Sequence, residues 1–306
     1  MNGKKVLVTG GTGFIGQRLV NELVANNYNV AVTVRDIKAA KQLFNSTVCY
    51  IDYKDSNLFK TNIEQFSPDI VIHLAAYSTS RDDLEAIEQL IESNIIFTSR
   101  LLDALRPCNI ELFVNTGSFS EYSENNGKLS PAYFYSATKT SARYIIDYFS
   151  QVGGYKFVNC ILYTVYGKTS KNKKVIDYII DSLDIKSPVK MTAGEQNLDF
   201  IHVDDVINFY LLLISKYADI KPMQTEYLVG TGQGCSIKEL SALIEKISGY
   251  NANINWGAID YRSLDIMHSV ANIQKTKAEL NWQASISLEM GIKQYLAEVL
   301  PKSSIK

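Results

Sequence analysis

The stretch of sequence that most restricts the possible folds is VLVTGGTGFIG, residues 6–16. Four residues typical of a buried strand lead directly into a loop with GxxGxxG spacing, and a helical pattern over 14–26 follows. The three loop glycines are Gly10, Gly13 and Gly16. Glycines allow a tight turn and a close approach to a pyrophosphate, and a helix N-terminus offers free N–H groups and a positive dipole end. Because the loop joins a strand to a helix, the pattern predicts a dinucleotide site.

Short apolar runs alternate with longer helical patterns along the first half of the chain. We predict further strands at 30–34, 48–52, 70–75 and 112–116, and helices at 84–105 and 136–151. Unbroken apolar strands are typical of a parallel sheet covered on both faces, and their alternation with helices indicates a doubly wound α/β fold. The predicted class is therefore α/β, with a Rossmann-like doubly wound parallel sheet.

The pattern loosens beyond about residue 167, which suggests a second, smaller unit. Strands are predicted at 200–203 and 227–229, and helices at 240–247 and 287–299. We predict a dinucleotide-binding domain over 1–166, to which 198–215 return. A smaller C-terminal α/β substrate-binding domain is predicted from 167–197 and 216–306.

Composition excludes several classes of function. Apolar residues make up 46% of the chain and charged residues 21%, and the net charge is −1. No basic surface indicates nucleic acid or an anionic membrane. The four cysteines are scattered, with no CxxC pair and no metal-ligand spacing. Without a signal-peptide pattern or a long apolar stretch, we expect a cytoplasmic protein that binds no metal, membrane or nucleic acid.

The end of the second predicted strand bears on the choice of cofactor. It reads Val34–Arg35–Asp36. An arginine at this place can pair with the 2′-phosphate of NADP, whereas an acid favours the 2′-hydroxyl of NAD. Arg35, helped by Lys38 or Lys41, favours NADP(H). Asp36 keeps NAD as the alternative.

Residues 135–139 read YSATK, which places a tyrosine and a lysine on one face of a helix. The same spacing recurs at two other pairs: Tyr50/Lys54 and Tyr217/Lys221. Context separates them, because Tyr135 and Lys139 follow a predicted strand that ends near Ser118, and ligand crevices lie at the carboxyl ends of such strands. The other two pairs follow no serine-bearing strand, and we assign them no function.

In sequence order these motifs resemble the extended short-chain dehydrogenase/reductase family, especially its nucleotide-sugar epimerases, dehydratases and reductases. The resemblance covers nearly the whole chain. It is carried by GGTGFIG at 10–16, HLAA at 73–76, Asn94, TGS at 116–118, YSATK at 135–139, VYG at 165–167, DFIHVDD at 199–205, YRSLDIMHS at 261–269 and LNW at 280–282.

The resemblance implies roles for particular residues. Ser118, Tyr135 and Lys139 would be catalytic. The implied cofactor contacts are Gly10, Thr12, Gly13, Phe14, Ile15, Gly16, Arg35, Asp52, Tyr53, Leu74, Ala75, Ala76, Asn94, Thr116, Tyr135, Lys139 and Tyr163. The implied substrate contacts are Ser78, Ser118, Phe119, Thr164, Lys168, Arg262 and Asp265.

The implied chemistry is consistent with these residue types. A phenol has a reference pKa of about 10, and a nearby ammonium and the cationic nicotinamide ring would lower it. Tyr135 would then exchange a proton with a sugar oxygen while Ser118 hydrogen-bonds the same oxygen. Lys139 would also hold the nicotinamide ribose. His73 and His202 have no matching ligands for a metal site or a catalytic triad, and we interpret His202, Asp204 and Asp205 as structural.

Within the family, the residues favour reduction. Dehydratases carry an acid directly after the threonine of the serine-bearing strand, but here Gly117 follows Thr116. We therefore predict NADPH-dependent reduction of the 4-keto group of a nucleotide-linked 6-deoxy- or 3,6-dideoxyhexose, by resemblance to 4-ketoreductases such as abequose and paratose synthases. The same resemblance implies deoxysugar biosynthesis, as for O-antigen, and a homodimer.

Three departures from the family pattern affect the substrate side. Leu198 stands where an arginine often pairs with the substrate diphosphate, so Arg262 would carry that pairing, with Lys168 nearby. Thr164 replaces an asparagine, and Asn272 stands where aspartate is common. The alternatives left open are an NAD-dependent nucleotide-sugar 4-epimerase, a non-catalytic NADP-sensing regulator and a reductase of flavonoid-like aromatic ketones.

Overall fold

The structure, a computed structural model, describes residues 3–44, 47–123, 127–167, 173–221 and 223–299. In chain order its strands are β1 Lys5–Thr9, β2 Asn29–Val34, β3 Cys49–Asp52, β4 Ile70–His73, β5 Leu112–Ser118, β6 Lys156–Leu162, β7 Thr164–Tyr166, β8 Val189–Met191, β9 Asn197–Leu198, β10 Phe200–His202, β11 Gln224–Val229, β12 Cys235–Ser236, β13 Ile254–Trp256 and β14 His268–Ser269. The α-helices are α1 Phe14–Ala25, α2 Ile37–Lys41, α3 Ser56–Phe66, α4 Leu84–Ile91, α5 Phe97–Ala104, α6 Phe134–Gly153, α7 Val175–Asp181, α8 Val203–Lys216, α9 Ile237–Ser248, α10 Gln274–Leu280 and α11 Leu288–Val299.

Seven of these strands form one parallel sheet in the order β11-β6-β5-β4-β1-β2-β3. The chain runs outward from β1 to β3 and then returns to the other side of β1 as β4. Such a reversal leaves a crevice at the carboxyl ends of β1 and β4, where ligands of doubly wound folds bind. The predicted α/β fold with a Rossmann-like parallel sheet is therefore confirmed.

Helices cover both faces of the sheet. On one face, apolar side chains of α1 and α8, such as Leu19 and Phe209, share one buried cluster with residues of β1 and β2, such as Val32. On the other face, α3, α5 and α6 pack over Leu7 and Phe113. Because both faces are buried, the strands consist mainly of apolar residues.

A second hydrophobic core lies in the C-terminal half. It joins α7, α9 and α11 around buried Ile179, Leu240 and Ile292. Small strand pairs accompany it: β13 pairs with β8, and β9 lies between β12 and β14. The division into two domains stays a prediction, and one strand of the C-terminal segment, β11, is the edge strand of the large sheet.

Polar residues of the motif DFIHVDD make contacts that support the fold. Asp205 accepts hydrogen bonds from the backbone of Ser285 and Ile286, each at 3.0 Å. Asp204 pairs with Arg18 of α1 at 2.6 Å. These contacts anchor the start of α8 to its neighbours, in agreement with the structural interpretation of both carboxylates.

Candidate active site

The glycine-rich loop lies at the crevice, between β1 and α1. Gly10 has a φ of 67°, and a Cβ there would lie 2.7 Å from the backbone nitrogen of Ala75. A Cβ on Gly16 would lie 2.2 Å from the Gly10 carbonyl oxygen, so both positions require glycine. Helix α1 begins after Gly13 without a side-chain cap, which leaves its first N–H groups, from Phe14 onward, for an external acceptor. The loop therefore fits a dinucleotide pyrophosphate.

The end of β2 is followed by an exposed cation and by a carboxylate that is already hydrogen-bonded. Arg35 is exposed. Burial raises the pKa of the Tyr53 phenol, and the charge of Arg35 opposes that rise, so the two side chains face a common region beside β3. Asp36 is the N-cap of α2, and its carboxylate accepts a hydrogen bond from the backbone N–H of Ala39 at 3.1 Å. Asp52 likewise accepts from the backbone of Lys54 at 2.9 Å.

A series of buried hydrogen bonds leads away from the segment after β4, which carries Leu74, Ala75 and Ala76. The N–H of Ala75 donates to Thr9 Oγ1 at 3.2 Å, and that oxygen lies 2.7 Å from His73 Nδ1. His73 Nε2 lies 3.0 Å from Thr98 Oγ1, whose hydroxyl donates to the carbonyl of Asn94. Since the Thr98 proton is already used, His73 must donate from Nε2 and accept at Nδ1.

His73 is therefore a neutral, structural histidine. Burial, together with the positive charge of Lys139, lowers its pKa to about 3. An imidazole that is uncharged and saturated on both nitrogens cannot act as a general base at neutral pH.

Asn94 continues these hydrogen bonds to α6, the helix that bears Tyr135 and Lys139. It lies in a π-helical turn, Glu92–Ile96, between α4 and α5. Its side-chain nitrogen donates to the carbonyl of Tyr77 at 3.0 Å and to Thr138 Oγ1 at 2.9 Å, and its oxygen accepts from the Tyr77 N–H. Thr138 in turn donates to the carbonyl of Tyr135. Asn94, predicted as a cofactor contact, thus also supports the segment that bears Tyr135.

Ser118 ends β5 beside a row of buried serine hydroxyls. Ser136 Oγ donates to Ser120 Oγ at 2.7 Å, and Ser120 Oγ lies 2.8 Å from Ser118 Oγ. Either hydroxyl of that pair can be the donor, and Ser118 Oγ also accepts the backbone N–H of Ser120 at 3.2 Å. The hydroxyls of Ser78 and Ser118 act against the rise in the pKa of Tyr135, which places both beside its phenol.

Tyr135 and Lys139 both lie in α6, as predicted, and Lys139 is buried. The lower tyrosine pKa expected with a cationic nicotinamide ring beside the phenol stays a prediction. Burial raises the pKa of Tyr135 to about 12, the negative charge of Glu121 adds to the rise, and the serine hydroxyls only oppose it. Burial also lowers the pKa of Lys139 to about 8, against the charge of Glu121. Tyr135 is therefore a protonated phenol at neutral pH.

The segments that follow β5 and β6 bring together other residues predicted to contact cofactor or substrate. The rings of Phe119 and Tyr163 stack with centroids 5.9 Å apart. Thr164 begins β7, and its N–H donates to the Asp199 carbonyl at 2.9 Å. Thr116, predicted as a cofactor contact, has its hydroxyl 2.7 Å from Tyr210 of α8, so its side chain is occupied by a contact with that helix.

The loop with Arg262 and Asp265 contacts the start of α6. The Arg262 guanidinium lies 5.6 Å from the ring centroid of Tyr133, and the Tyr133 hydroxyl donates to Asp265 at 3.3 Å. Tyr133 is the N-cap of α6, two residues before Tyr135. The structure thus brings the predicted substrate residues of the C-terminal half next to the catalytic helix. Lys168 lies outside the described residues.

Sequence reasoning missed two residues of this site, Tyr133 and Glu121. Tyr133 precedes YSATK but was given no role. Glu121 is fully buried. We considered an acid only at the position directly after Thr116, which is Gly117, whereas Glu121 lies further along the chain. The short motif FSE at 119–121, directly after the catalytic serine, was the available signal.

The two other Tyr–Lys pairs have different surroundings. Tyr50 lies in β3 and Lys54 in the turn after it, so they share no helix. The Tyr217 hydroxyl bonds Glu111, which also pairs with Lys4. Within the described ranges, no three His, Cys, Asp or Glu side chains are grouped so as to hold a metal. In the same part of the chain, every helix is too short or too polar to span a membrane.

A parallel sheet with a glycine loop at its switch point and a Ser–Tyr–Lys group beside it defines a dinucleotide-dependent class of protein. Residues 6–230 match the model of the NAD dependent epimerase/dehydratase family, and the chain belongs to that family.

Relatives carry more than one activity in their names. A CDP-abequose synthase of Salmonella typhimurium is 34% identical over 299 residues, which cover 95% of this chain and 97% of that protein. A UDP-glucuronate 4-epimerase of Thermodesulfobacterium geofontis is 27% identical, with 94% of each chain covered. A solved UDP-glucuronic acid 4-epimerase from Bacillus cereus, in complex with UDP-glucuronic acid and NAD, is 24% identical, covers 95% of this chain and 97% of its own, and has a TM-score of 0.84. That likeness shows a shared fold.

Proposed function

We propose that this chain is an NADPH-dependent reductase of the 4-keto group of a nucleotide-linked 6-deoxy- or 3,6-dideoxyhexose. The proposal is supported by similarity over nearly the whole chain to a CDP-abequose synthase, a protein that we group with the 4-ketoreductases. It also agrees with the group formed by Ser118, Tyr135 and Lys139. Reduction needs a proton donor, and a phenol with a pKa raised to about 12 holds its proton at neutral pH.

The observation that carries NADPH over NADH is the pair of side chains after β2. The Asp36 carboxylate is bonded to the N-terminus of α2, so one of its oxygens is committed to capping. Arg35 is exposed beside Tyr53, where the adenosine ribose of a bound dinucleotide would lie. A guanidinium at this place suits a 2′-phosphate better than a hydroxyl.

The residues of the chain supply acid catalysis and positioning. A bound nicotinamide cofactor supplies the hydride for the carbonyl carbon. Tyr135 donates its phenolic proton to the carbonyl oxygen, and Ser118 donates a hydrogen bond to the same oxygen. The ammonium of Lys139 stabilises the phenolate left on Tyr135 and holds the nicotinamide ribose. Burial of Lys139 keeps water from weakening that charge.

The substrate is held on the other side of the crevice. Arg262 pairs with the diphosphate of the nucleotide, and Asp265 orients the loop that bears Arg262. Ser78, Phe119 and Thr164 line the sugar site next to Tyr135. Among the described residues, Arg262 forms no salt bridge, and its guanidinium faces the ring of Tyr133. Its charge is therefore available to a diphosphate, which supports this role. The remaining expectations, a homodimer and a cytoplasmic location, stay predictions.

The decisive experiment offers purified protein and NADPH or NADH to CDP-, dTDP- and GDP-4-keto-6-deoxyhexoses and follows the loss of reduced cofactor. We expect stoichiometric oxidation with one nucleotide series and a higher kcat/KM for NADPH. Arg35→Ala should reduce the preference for NADPH by roughly 1–3 kcal/mol, or up to about a hundredfold. Equal use of both cofactors by the wild type, unchanged in Arg35→Ala, contradicts the NADPH assignment.

The second candidate is an NAD-dependent nucleotide-sugar 4-epimerase. It is favoured by the similarity to a UDP-glucuronate 4-epimerase. An epimerase returns the hydride to its substrate, so the cofactor is not consumed and the product is a stereoisomer of the substrate. Conversion of a UDP-sugar without net cofactor oxidation would therefore favour the epimerase over the reductase. A non-catalytic NADP-sensing regulator would bind the cofactor and turn over neither kind of substrate.

A further inference from the structure

A carboxylate that the proposed mechanism does not use lies directly behind the catalytic group. Glu121 is fully buried, at 0% exposure. It ends a short turn, Phe119–Glu121, that folds the side chain back under the end of β5. Oε1 accepts the backbone N–H of Ser118 at 2.8 Å, and Oε2 accepts the Thr140 hydroxyl at 3.1 Å. Both carboxylate oxygens are therefore fixed, one by the catalytic serine and one by the catalytic helix.

The space for this carboxylate exists because residue 117 is a glycine. A Cβ on Gly117 would lie 2.8 Å from Glu121 Oε1 and 2.5 Å from the Ile161 side chain. No side chain at 117 is compatible with the observed position of Glu121. The glycine that argues against dehydration thus makes room for a different acid, which reaches the site from four residues further along the chain.

The charged groups around Glu121 come mainly from α6. Burial raises the pKa of Glu121, and the hydrogen bond from the Ser118 backbone and the charges of Lys139 and Arg143 oppose that rise. The charge of Glu121 in turn raises the pKa of Tyr135 and of Lys139. Arg143 is also bound to Glu226 of β11, at 2.8 Å, and to the Tyr122 hydroxyl. Since Arg143 is shared with Glu226, Lys139 is the cation that depends most on Glu121 for a balancing charge.

We propose that Glu121 is a positioning residue of this active site, which fixes Ser118 through its backbone N–H and supplies the negative charge that keeps Lys139 an ammonium. The inference rests on the proposed roles of Ser118, Tyr135 and Lys139. A buried ammonium loses its proton more readily than a solvated one, and a fixed carboxylate nearby opposes that loss. The same charge favours the protonated phenol of Tyr135, which is the form that donates a proton in reduction.

The test measures dinucleotide affinity against pH, which requires no sugar substrate. In Glu121→Gln the shape is kept and the charge is lost. Without the charge of Glu121, the pKa of Lys139 falls. The ammonium is then lost at a lower pH, and the dinucleotide affinity that depends on it decreases as pH rises through that lower pKa. The wild type also loses this ammonium above about pH 8, so Glu121→Gln is compared with it at each pH. We expect equal affinities at about pH 6 and an affinity up to about tenfold weaker than the wild type by about pH 8–9, because one pKa unit is a tenfold change in protonation.

Two matched variants separate charge from structure. Thr140→Val removes one hydrogen bond to Glu121 but keeps the carboxylate, so its affinity relative to the wild type should not fall as pH rises. Glu121→Gln combined with Lys139→Met should show no pH-dependent loss beyond that of Lys139→Met alone. Parallel affinity curves for wild type and Glu121→Gln, or a loss in Thr140→Val that grows as pH rises, would overturn the proposal.

A second measurement leaves Glu121 unmutated, in case Glu121→Gln does not fold. In Lys139→Met the buried carboxylate loses its cation, so the variant should melt below the wild type. That deficit should shrink as pH falls and Glu121 takes up a proton. A deficit that is independent of pH overturns the proposal. If dinucleotide affinity follows these expectations but no ketosugar is reduced, the proposed reaction fails while the role of Glu121 stands.

Discussion

The catalytic side and the substrate-anchoring side of this site are built in opposite ways. Ser118 is held by Ser120 and Glu121 through hydrogen bonds of 2.8–3.2 Å. Arg262, across the crevice, is exposed and reaches Tyr133 through a ring contact of 5.6 Å. The loop is tied to α6 by a longer hydrogen bond, 3.3 Å, from Tyr133 to Asp265.

This difference indicates a division of labour. Groups that act in the transition state gain most from being fixed before substrate arrives, because no reorganisation is needed during the reaction. An exposed arginine is solvated, so its pairing with a diphosphate exchanges one polar partner for another. Substitutions on the buried side should therefore change kcat, and substitutions on the exposed side should change KM.

The largest effect is expected for Tyr135→Phe. The change deletes the proton donor with little change in shape, so packing and NADPH binding should survive. Loss of a general acid typically costs about 10²–10⁴-fold in rate, measured as kcat with the reducible ketosugar. The control is Tyr217→Phe, at the same Tyr–Lys spacing but next to Glu111, which should keep wild-type kcat. Near wild-type turnover by Tyr135→Phe would remove Tyr135 from the mechanism.

Lys139→Met should affect both rate and cofactor affinity. In the proposed mechanism the lysine holds the nicotinamide ribose and stabilises the phenolate of Tyr135, so kcat and the Kd for NADPH should both worsen by about tenfold or more. Steady-state kinetics and fluorescence titration of NADPH measure the two quantities separately. If only the rate falls, Lys139 does not contact the cofactor.

Sequence reasoning was most successful where a local pattern determines the structure. The glycine loop and the placement of Tyr135 and Lys139 on one helix follow from short motifs. The strand β6, KFVNCIL, was not predicted, because Asn159 interrupts its apolar run. That asparagine is tolerated in the buried strand since Asn115 and Glu226 satisfy it, at 2.8 and 2.9 Å.

Other features depend on contacts that no local pattern encodes. The helix predicted over 84–105 contains a π-helical turn at Glu92–Ile96, where Asn94 is turned toward Thr138 of α6. Glu121 looks like a surface acid until the turn after β5 buries it. Tyr133 and Asp265 meet across 132 positions of sequence, so their contact could be seen only in the fold.

Arg262→Ala should act on the exposed side alone. A charge-assisted bond to a diphosphate is worth about 1.5–3 kcal/mol, and exposure of Arg262 to solvent favours the lower end. We therefore expect KM for the nucleotide sugar to rise by roughly tenfold, with kcat and NADPH affinity nearly unchanged. The control is Arg106→Ala, an exposed arginine paired with Asp103. Equal weakening of NADPH binding would show that Arg262 serves the cofactor instead.

The smallest effect is expected where the two sides meet, at Tyr133. Tyr133→Phe keeps the ring that faces Arg262 and removes only the hydroxyl that donates to Asp265. A neutral donor contributes roughly 0.5–1.5 kcal/mol, and the 3.3 Å length favours the low end. KM should rise about two- to fivefold while kcat stays near the wild-type value, as measured by initial rates with the same ketosugar. If the hydroxyl acts by holding Arg262 in place, Tyr133→Phe should have no further effect on KM in an Arg262→Ala background. A fall in kcat of about tenfold or more at unchanged KM would instead place Tyr133 on the catalytic side, because the hydroxyl would then be acting through the start of α6 on Tyr135.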